Sequence, residues 1–394
     1  MFTCEAPGFS SVIYSETMLG RYFKVVLYSN LINGSTGVMP WAFNDFEPGI
    51  WHECPLDKDT FEPYFGIVST DGRLKPSGRE LSEFARFVTD NQITRYSFGK
   101  AELAILVPKG YYAEIKSAFR RIYTTFILAK CCSAEVDFVW DDQDLTKYKL
   151  ILIPSARQLT TPIWHKIREY VQNGGIIYHI FDHQSGLSVY FNDLFGVEVQ
   201  TVARNFDYDT LYLACNWGGY SAGDAIKLLG SGIDEYLKVE AKTAEVIGVF
   251  EDRMPAVLRN RHGKGAAYLV TMPIESGFID IRYRDFLGNG LFGIYDILMD
   301  EADITRRAKC SDHRVEVGVL RDRAEEGWML ICINHDAAEV NARLYLDSEL
   351  AGTVRQKAIF DLNNKHDVQV HGDENEPVYI DLSLGPAGVN AYRI

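Results

Sequence analysis

The sequence predicts an α/β protein in three segments: strand–helix–strand–helix over residues 1–91, a parallel α/β domain over 98–301, and a small antiparallel β domain over 312–394. Three observations carry this reading. In the middle of the chain, strand-length apolar runs alternate with helical stripes, the pattern of βαβ units around a parallel sheet. The last segment breaks into short alternating runs separated by turn signals, as an antiparallel domain does. The first segment has too few elements to close on itself. At 394 residues, the chain has room for two to four domains of about 100–200 residues each.

In the first segment, Ser15 or Thr17 is placed to cap a helix carrying Leu19, Phe23, Val26, Leu27 and Ile32 on one stripe, and Asn33-Gly34 ends it. Residues 37–43 read as a short buried strand. A loop containing Pro48, Gly49, Pro55 and Pro63 follows, then a turn at Asp71-Gly72 and a second helix from Pro76 with Leu81, Phe84, Ala85 and Val88 inward. In the second segment, residues 101–108 form a run that is apolar but for Glu102, as a central parallel strand should be. Ile115, Phe119, Ile122 and Phe126 mark a helix. Residues 136–140, 149–154 and 175–181 are further strands, with a helix on Ile163, Ile167 and Val171 before the last of them. Residues 197–275 read as β-rich and 284–299 as a closing helix. The third segment offers strands at 315–320, 328–334, 342–346, 358–362, 378–382 and 388–393.

Composition excludes several roles. The net charge of −14 gives no basic face to neutralise phosphates, so no nucleic-acid partner is expected. No apolar run approaches the ~20 residues that span a bilayer, and no membrane partner is expected. The seven cysteines are scattered without C-x-x-C spacing and the nine histidines without metal-ligand spacing, so neither a metal nor a cofactor is expected. Reduced thiols favour a cytoplasmic setting. Aromatic residues reach 13%, enough to fill cores and to stack on sugar rings.

The most specific signal is the run Gly34-x-x-Gly37-Val38-Met39-Pro40-Trp41-Ala42-Phe43-Asn44-Asp45-Phe46, followed by Phe65-Gly66-Ile67-Val68-x-x-Asp71-Gly72-Arg73-x-Lys75-Pro76. It resembles the last strand and final helix of clan A glycoside hydrolases. The resemblance implies that residues 1–91 are the C-terminal fragment of a (β/α)8 barrel, a fold of about 250 residues when complete. Cys4-Glu5-Ala6-Pro7-Gly8 then looks like the end of the seventh barrel strand, where that family places its nucleophile. This implies Glu5 as catalytic residue, although the family usually reads Glu-Phe-Gly there. The order of segments resembles β-galactosidase-type enzymes, in which a flavodoxin-like trimerisation domain and a C-terminal β-sandwich follow the barrel. The middle segment also resembles class I glutamine amidotransferase folds, but Ile153-Pro154-Ser155-Ala156-Arg157 holds no cysteine where their nucleophile sits.

The expected function is therefore the C-terminal region of a retaining β-glycosidase acting on a neutral carbohydrate, incomplete as it stands and doubtful as an enzyme alone. Retaining enzymes use two carboxyl groups about 5–5.5 Å apart. The resemblance places the partner of Glu5 on the fourth barrel strand, which would precede residue 1. Trp41, Asn44, Asp45 and Trp51 are the expected substrate-binding residues, an indole floor with polar groups for sugar hydroxyls, with Glu47 and His52 beside them. The alternative is a non-catalytic oligomerisation module, a trimer through the α/β domain. Elsewhere, Asp182-His183 lies after a strand where α/β sheets bind ligands, without a nucleophile motif. Gly263-Lys264-Gly265 lacks the phosphate-loop pattern. Trp217-Gly218-Gly219 reads as a loop anchor.

Overall fold

The computed structural model describes the chain except residues 1, 7–13, 47–63, 110–114, 156–158, 182–187, 205–207, 229–234, 276–289, 325–326, 356–357 and 374. It is a mixed α/β structure of two compact units, Met1–Gly99 together with Arg307–Ile394, and Lys100–Arg306. No helix among the described residues is long and apolar enough to cross a membrane.

The chain opens with β1 (Phe2–Ala6), α1 (Glu16–Ile32), β2 (Gly37–Pro40), α2 (Pro76–Asp90) and β3 (Tyr96–Phe98). Ser15 caps α1 by accepting from the Met18 amide at 3.2 Å. Gly34, at φ +79°, turns the chain out of α1. Pro76 opens α2, where a missing N–H costs nothing. The crossover through α1 makes β1 and β2 a parallel pair.

The second unit holds β4 (Leu103–Val107), α3 (Ile115–Cys131), β5 (Val136–Trp140), β6 (Leu150–Ile153), α4 (Thr161–Gln172), β7 (Ile176–Ile180) and α5 (Phe191–Phe195). It continues with β8 (Val197–Arg204), β9 (Thr210–Leu213), β10 (Ala225–Lys227), β11 (Glu235–Ala241), β12 (Glu245–Val249), β13 (Pro255–His262), β14 (Gly265–Val270) and α6 (Leu291–Glu301). Nine strands form one sheet in the order β10-β9-β12-β13-β14-β7-β6-β4-β5. The run from β14 to β5 is parallel, and the remainder is antiparallel. Strand period sends Leu103 and Ile105 to one face, packed with α3 and α6, and Ala104 and Leu106 to the other, packed with α4 and α5. Burial on both faces is why β4, β6 and β7 read as continuous apolar runs. Separately, β8 and β11 pair as an antiparallel ribbon.

The C-terminal part contains β15 (Ala308–Cys310), β16 (Val315–Asp322), β17 (Trp328–Asn334), β18 (Val340–Leu346), α7 (Ser348–Val354), β19 (Ile359–Asp361), β20 (His366–Val368), β21 (Val370–His371), β22 (Tyr379–Leu384) and β23 (Val389–Arg393). A four-stranded sheet, β15-β18-β22-β21, and a six-stranded sheet, β20-β19-β23-β17-β16-β3, share a core that includes Leu344, Ile380, Val317, Leu330 and Tyr392. The six-stranded sheet's other face carries Leu320, Met329, Ile331 and Ile333 against Tyr28, Leu31 and Ile32 of α1. At Gly318 an added Cβ would lie 2.4 Å from the Ile32 Cβ, so the helix rests almost on the strand's backbone.

The first and third sequence segments thus lie in one unit. Several short elements escape the sequence reading: β3, which crosses the expected boundary to join the C-terminal sheet, the strands β15, β20 and β21, and the helices α5 and α7. The closing helix of the second unit is described from Leu291, and residues 284–289 of its expected span lie outside the described residues.

Candidate active site

The site is built on the open end of the β1–β2 pair. Val38 and Pro40 line a crevice with Tyr22, Phe23 and Val26 of α1, so these two β2 residues face the helix. By strand alternation Met39, and Trp41 just beyond the strand end, face the opposite way. Both are open, Met39 at 50% and Trp41 at 42% exposure, with Phe43 beyond them at 68%. A cis peptide joins Trp41 to Ala42.

Register locates Glu5 on the neighbouring strand. Cys4 is level with Met39 and Ala6 with Pro40, and the shift between these two rows falls at Glu5. Glu5 and Trp41 therefore sit at the C-terminal ends of adjacent parallel strands, the end at which barrel enzymes assemble their sites.

The remaining sequence candidates separate. Asn44 is exposed and bridges to Val68. Asp45 turns inward, its side chain 6% exposed, and its Oδ1 accepts from the Lys75 Nζ at 2.6 Å and the Gly66 amide at 2.8 Å. Lys75, 3% exposed, also donates to the Tyr64 carbonyl at 3.2 Å. Trp51, Glu47 and His52 lie outside the described residues, as does Asp182-His183.

These bonds give the motif that ends at Pro76 a physical role. Lys75 and Asp45 clasp the loop after β2 to the N-terminus of α2. Ser69 and the Arg73 amide both donate to the Asp71 carboxylate, which closes the turn, and Gly72 occupies it at φ +82°. Arg73 forks onto Glu16 at 2.8 and 2.9 Å, tying that turn to the start of α1. The Arg73 hydrogen bond holds the Glu16 carboxyl below the usual range. The clasp fixes the loop that carries Trp41 and Asn44.

Trp217 is a loop anchor, 2% exposed, donating its indole N–H to Glu301 at 3.1 Å. Gly263 and Lys264 form the turn between β13 and β14, and Gly265 opens β14. Sequence reasoning missed Glu275, which follows β14 and is buried. Thr125 Oγ1 donates to it at 2.8 Å and the Tyr295 hydroxyl also donates to it. Burial pushes its carboxyl up to about 7, against the opposing effect of these two donors. In the run Met272-Pro-Ile-Glu275 nothing distinguishes it from loop polarity.

Residues 112–289 match the family model described as the β-galactosidase trimerisation domain. A curated β-galactosidase, LacZ of Heyndrickxia coagulans, is 27% identical over 216 residues, which is 51% of this chain and 28% of that protein. The solved β-galactosidase of Bacillus circulans sp. alkalophilus superposes with a TM-score of 0.70 at 16% identity, covering 100% of this chain and 55% of the other. Gan42B, a GH42 β-galactosidase, gives 0.66 at 18% identity, covering 95% and 50%. At these identities the structural likeness speaks for the fold. The chain spans about half the length of the solved relatives and is similar to the C-terminal region of clan A glycoside hydrolases.

Proposed function

We propose that this chain is the C-terminal region of a retaining β-glycosidase acting on a neutral carbohydrate, a β-galactoside by analogy with its relatives. In this reading, residues 1–91 are the end of a (β/α)8 barrel, 98–301 a flavodoxin-like domain and 312–394 a β-sandwich. Glu5 is the nucleophile. Its carboxylate attacks the anomeric carbon while a second carboxyl, on a barrel strand preceding residue 1, protonates the departing oxygen. Water then releases the sugar from Glu5, with that second group acting as base. Trp41 supplies the sugar platform, Asn44 and Trp51 line it, and Asp45 contributes through the clasp that fixes the Asn44 loop.

The observation that supports this most is the open face holding Trp41 beside the C-terminal end of β1. Among the described residues β1 and β2 pair only with each other, so both outer edges are available to further barrel strands, and a lone pair would be marginal in water. The chain alone then hydrolyses β-galactosides no faster than buffer. A polypeptide that includes the preceding coding sequence hydrolyses them, and Glu5→Gln lowers its kcat by ~10³-fold or more, the scale on which loss of a nucleophile is felt. Full turnover by the extended Glu5→Gln protein would refute the assignment.

The domain match favours a second, compatible role. Residues 112–289 match a trimerisation domain, and none of the residues proposed for catalysis lies within them. In this role the middle of the chain assembles copies, with a homotrimer as the expected state.

A further inference from the structure

We infer that the flank of the second unit formed by α3 and the edge strand β5 is the surface that meets a second copy of this chain. The inference rests on the homo-oligomer reading above and adds where the contact lies.

Four large aromatic side chains stand open there: Phe119 at 63%, Tyr123 at 41%, Phe138 at 41% and Trp140 at 38% exposure. They form one ridge. Phe119 and Tyr123, one helical turn apart, stack with ring centres 5.8 Å apart and planes 8° from parallel. Phe126, one turn further along α3, stacks on Phe138 at 5.6 Å, which joins helix to strand. Period 2 puts Trp140 on the same side of β5 as Phe138, while Val139 between them is buried on the other face. The helix returns antiparallel to the strands it connects. Stepping back from Phe126 to Tyr123 moves about 4.5 Å along α3, and stepping forward from Phe138 to Trp140 moves about 6.6 Å along β5. Both steps lead to the same end, so all four rings lie along one flank.

Two further features identify the occupant. β5 ends the nine-stranded sheet with β4 as its sole strand partner among the described residues. Its amides are held locally, that of Phe138 by Asp137 Oδ1 at 2.8 Å and that of Trp140 by Gln143 Oε1 at 3.0 Å, so the contact is made by the rings and not by strand addition. Aromatic rings clustered on a rigid scaffold are the usual energetic centre of a protein interface. Every residue of the ridge falls inside the stretch that matches a trimerisation domain, which makes a second copy of the same chain the partner. In a closed trimer the contact is head-to-tail, so the ridge meets a different surface of its neighbour.

Light scattering of the full chain at tens of micromolar tests this, with circular dichroism as the check on folding. The expected result is an assembled wild type and a Phe119→Glu/Trp140→Glu variant that scatters as a single chain with an unchanged spectrum. Phe43→Glu, on the open face of the first unit, should stay assembled. If the double variant misfolds, Tyr123→Arg takes its place with the same expectation. A folded ridge variant that remains assembled overturns the inference while leaving the oligomer reading intact, as does dissociation by Phe43→Glu alone. A wild type that scatters as one chain removes the oligomer reading itself, and the inference with it.

Discussion

At the scale of single residues, buried charge separates structural groups from groups available for chemistry. The Lys75–Asp45 pair is shielded from water, so removing one partner strands the other. Lys75→Met should destabilise the first unit by ~3–5 kcal/mol, whereas Lys75→Met with Asp45→Leu should cost distinctly less. Urea unfolding of the three proteins measures the difference, and equal midpoints for single and double variants would show that the pair is not coupled. Glu275 gives a pH dependence of known sign. Its folded pKa of about 7 lies above the ordinary carboxyl value. The folded state therefore holds a proton that the unfolded chain has released. The stability associated with it is complete below the unfolded pKa of about 4.3 and is lost as pH rises through about 7, on the order of 3–4 kcal/mol in all. Glu275→Gln, which mimics the protonated acid, should flatten that part of the pH–stability curve of the second unit. A variant whose curve parallels wild type would contradict it. Neither role was legible in the sequence. The motif ending in Lys75-Pro76 could be recognised, but its partner lies 30 positions earlier and comes into reach only once both loops fold. Glu275 carries no periodic signal at all.

At the scale of elements, strands buried on both faces announce themselves, because each residue must be apolar. Strands β4, β6, β7 and β17 were all readable for that reason. The three-residue strand β3 was not, since it is defined by its partner β16 more than two hundred positions away. The stripe on α1 was visible, but Tyr28 and Leu31, which meet the six-stranded sheet, complete a second buried face that the period alone did not separate from the first. The contact is close at Gly318, where any side chain meets Ile32. Gly318→Val should therefore cost ~1–3 kcal/mol by overpacking. It should also raise hydrogen exchange in α1 more than in α4, which packs in the other unit. Equal exchange in both helices would place the strain elsewhere.

At the scale of the whole molecule, chain order and spatial grouping differ. The segments at the two ends form one unit, and the intervening two hundred residues form another. Periodicity showed which elements exist and in what order, while the grouping of the ends depended on a helix face and a strand edge finding partners across that interval. The candidate site was legible in part. Glu5, Trp41, Asn44 and Asp45 were all singled out from the motif, and the described structure puts Glu5 and Trp41 at the ends of adjacent strands while turning Asp45 into the clasp. In the proposed reading the open face is completed by further parallel strands and a second carboxyl. The most direct measurement is therefore to trap the covalent intermediate. The protein extended by its preceding coding sequence would be treated with a 2-deoxy-2-fluoro-β-galactosyl fluoride, and the labelled peptide identified by mass spectrometry. The expected result is one fluorosugar per chain on the tryptic peptide ending at Arg21, attached to Glu5. A label on any other carboxylate, or a hydrolytically active protein that takes no label, would contradict the assignment of Glu5 as the nucleophile of a retaining enzyme.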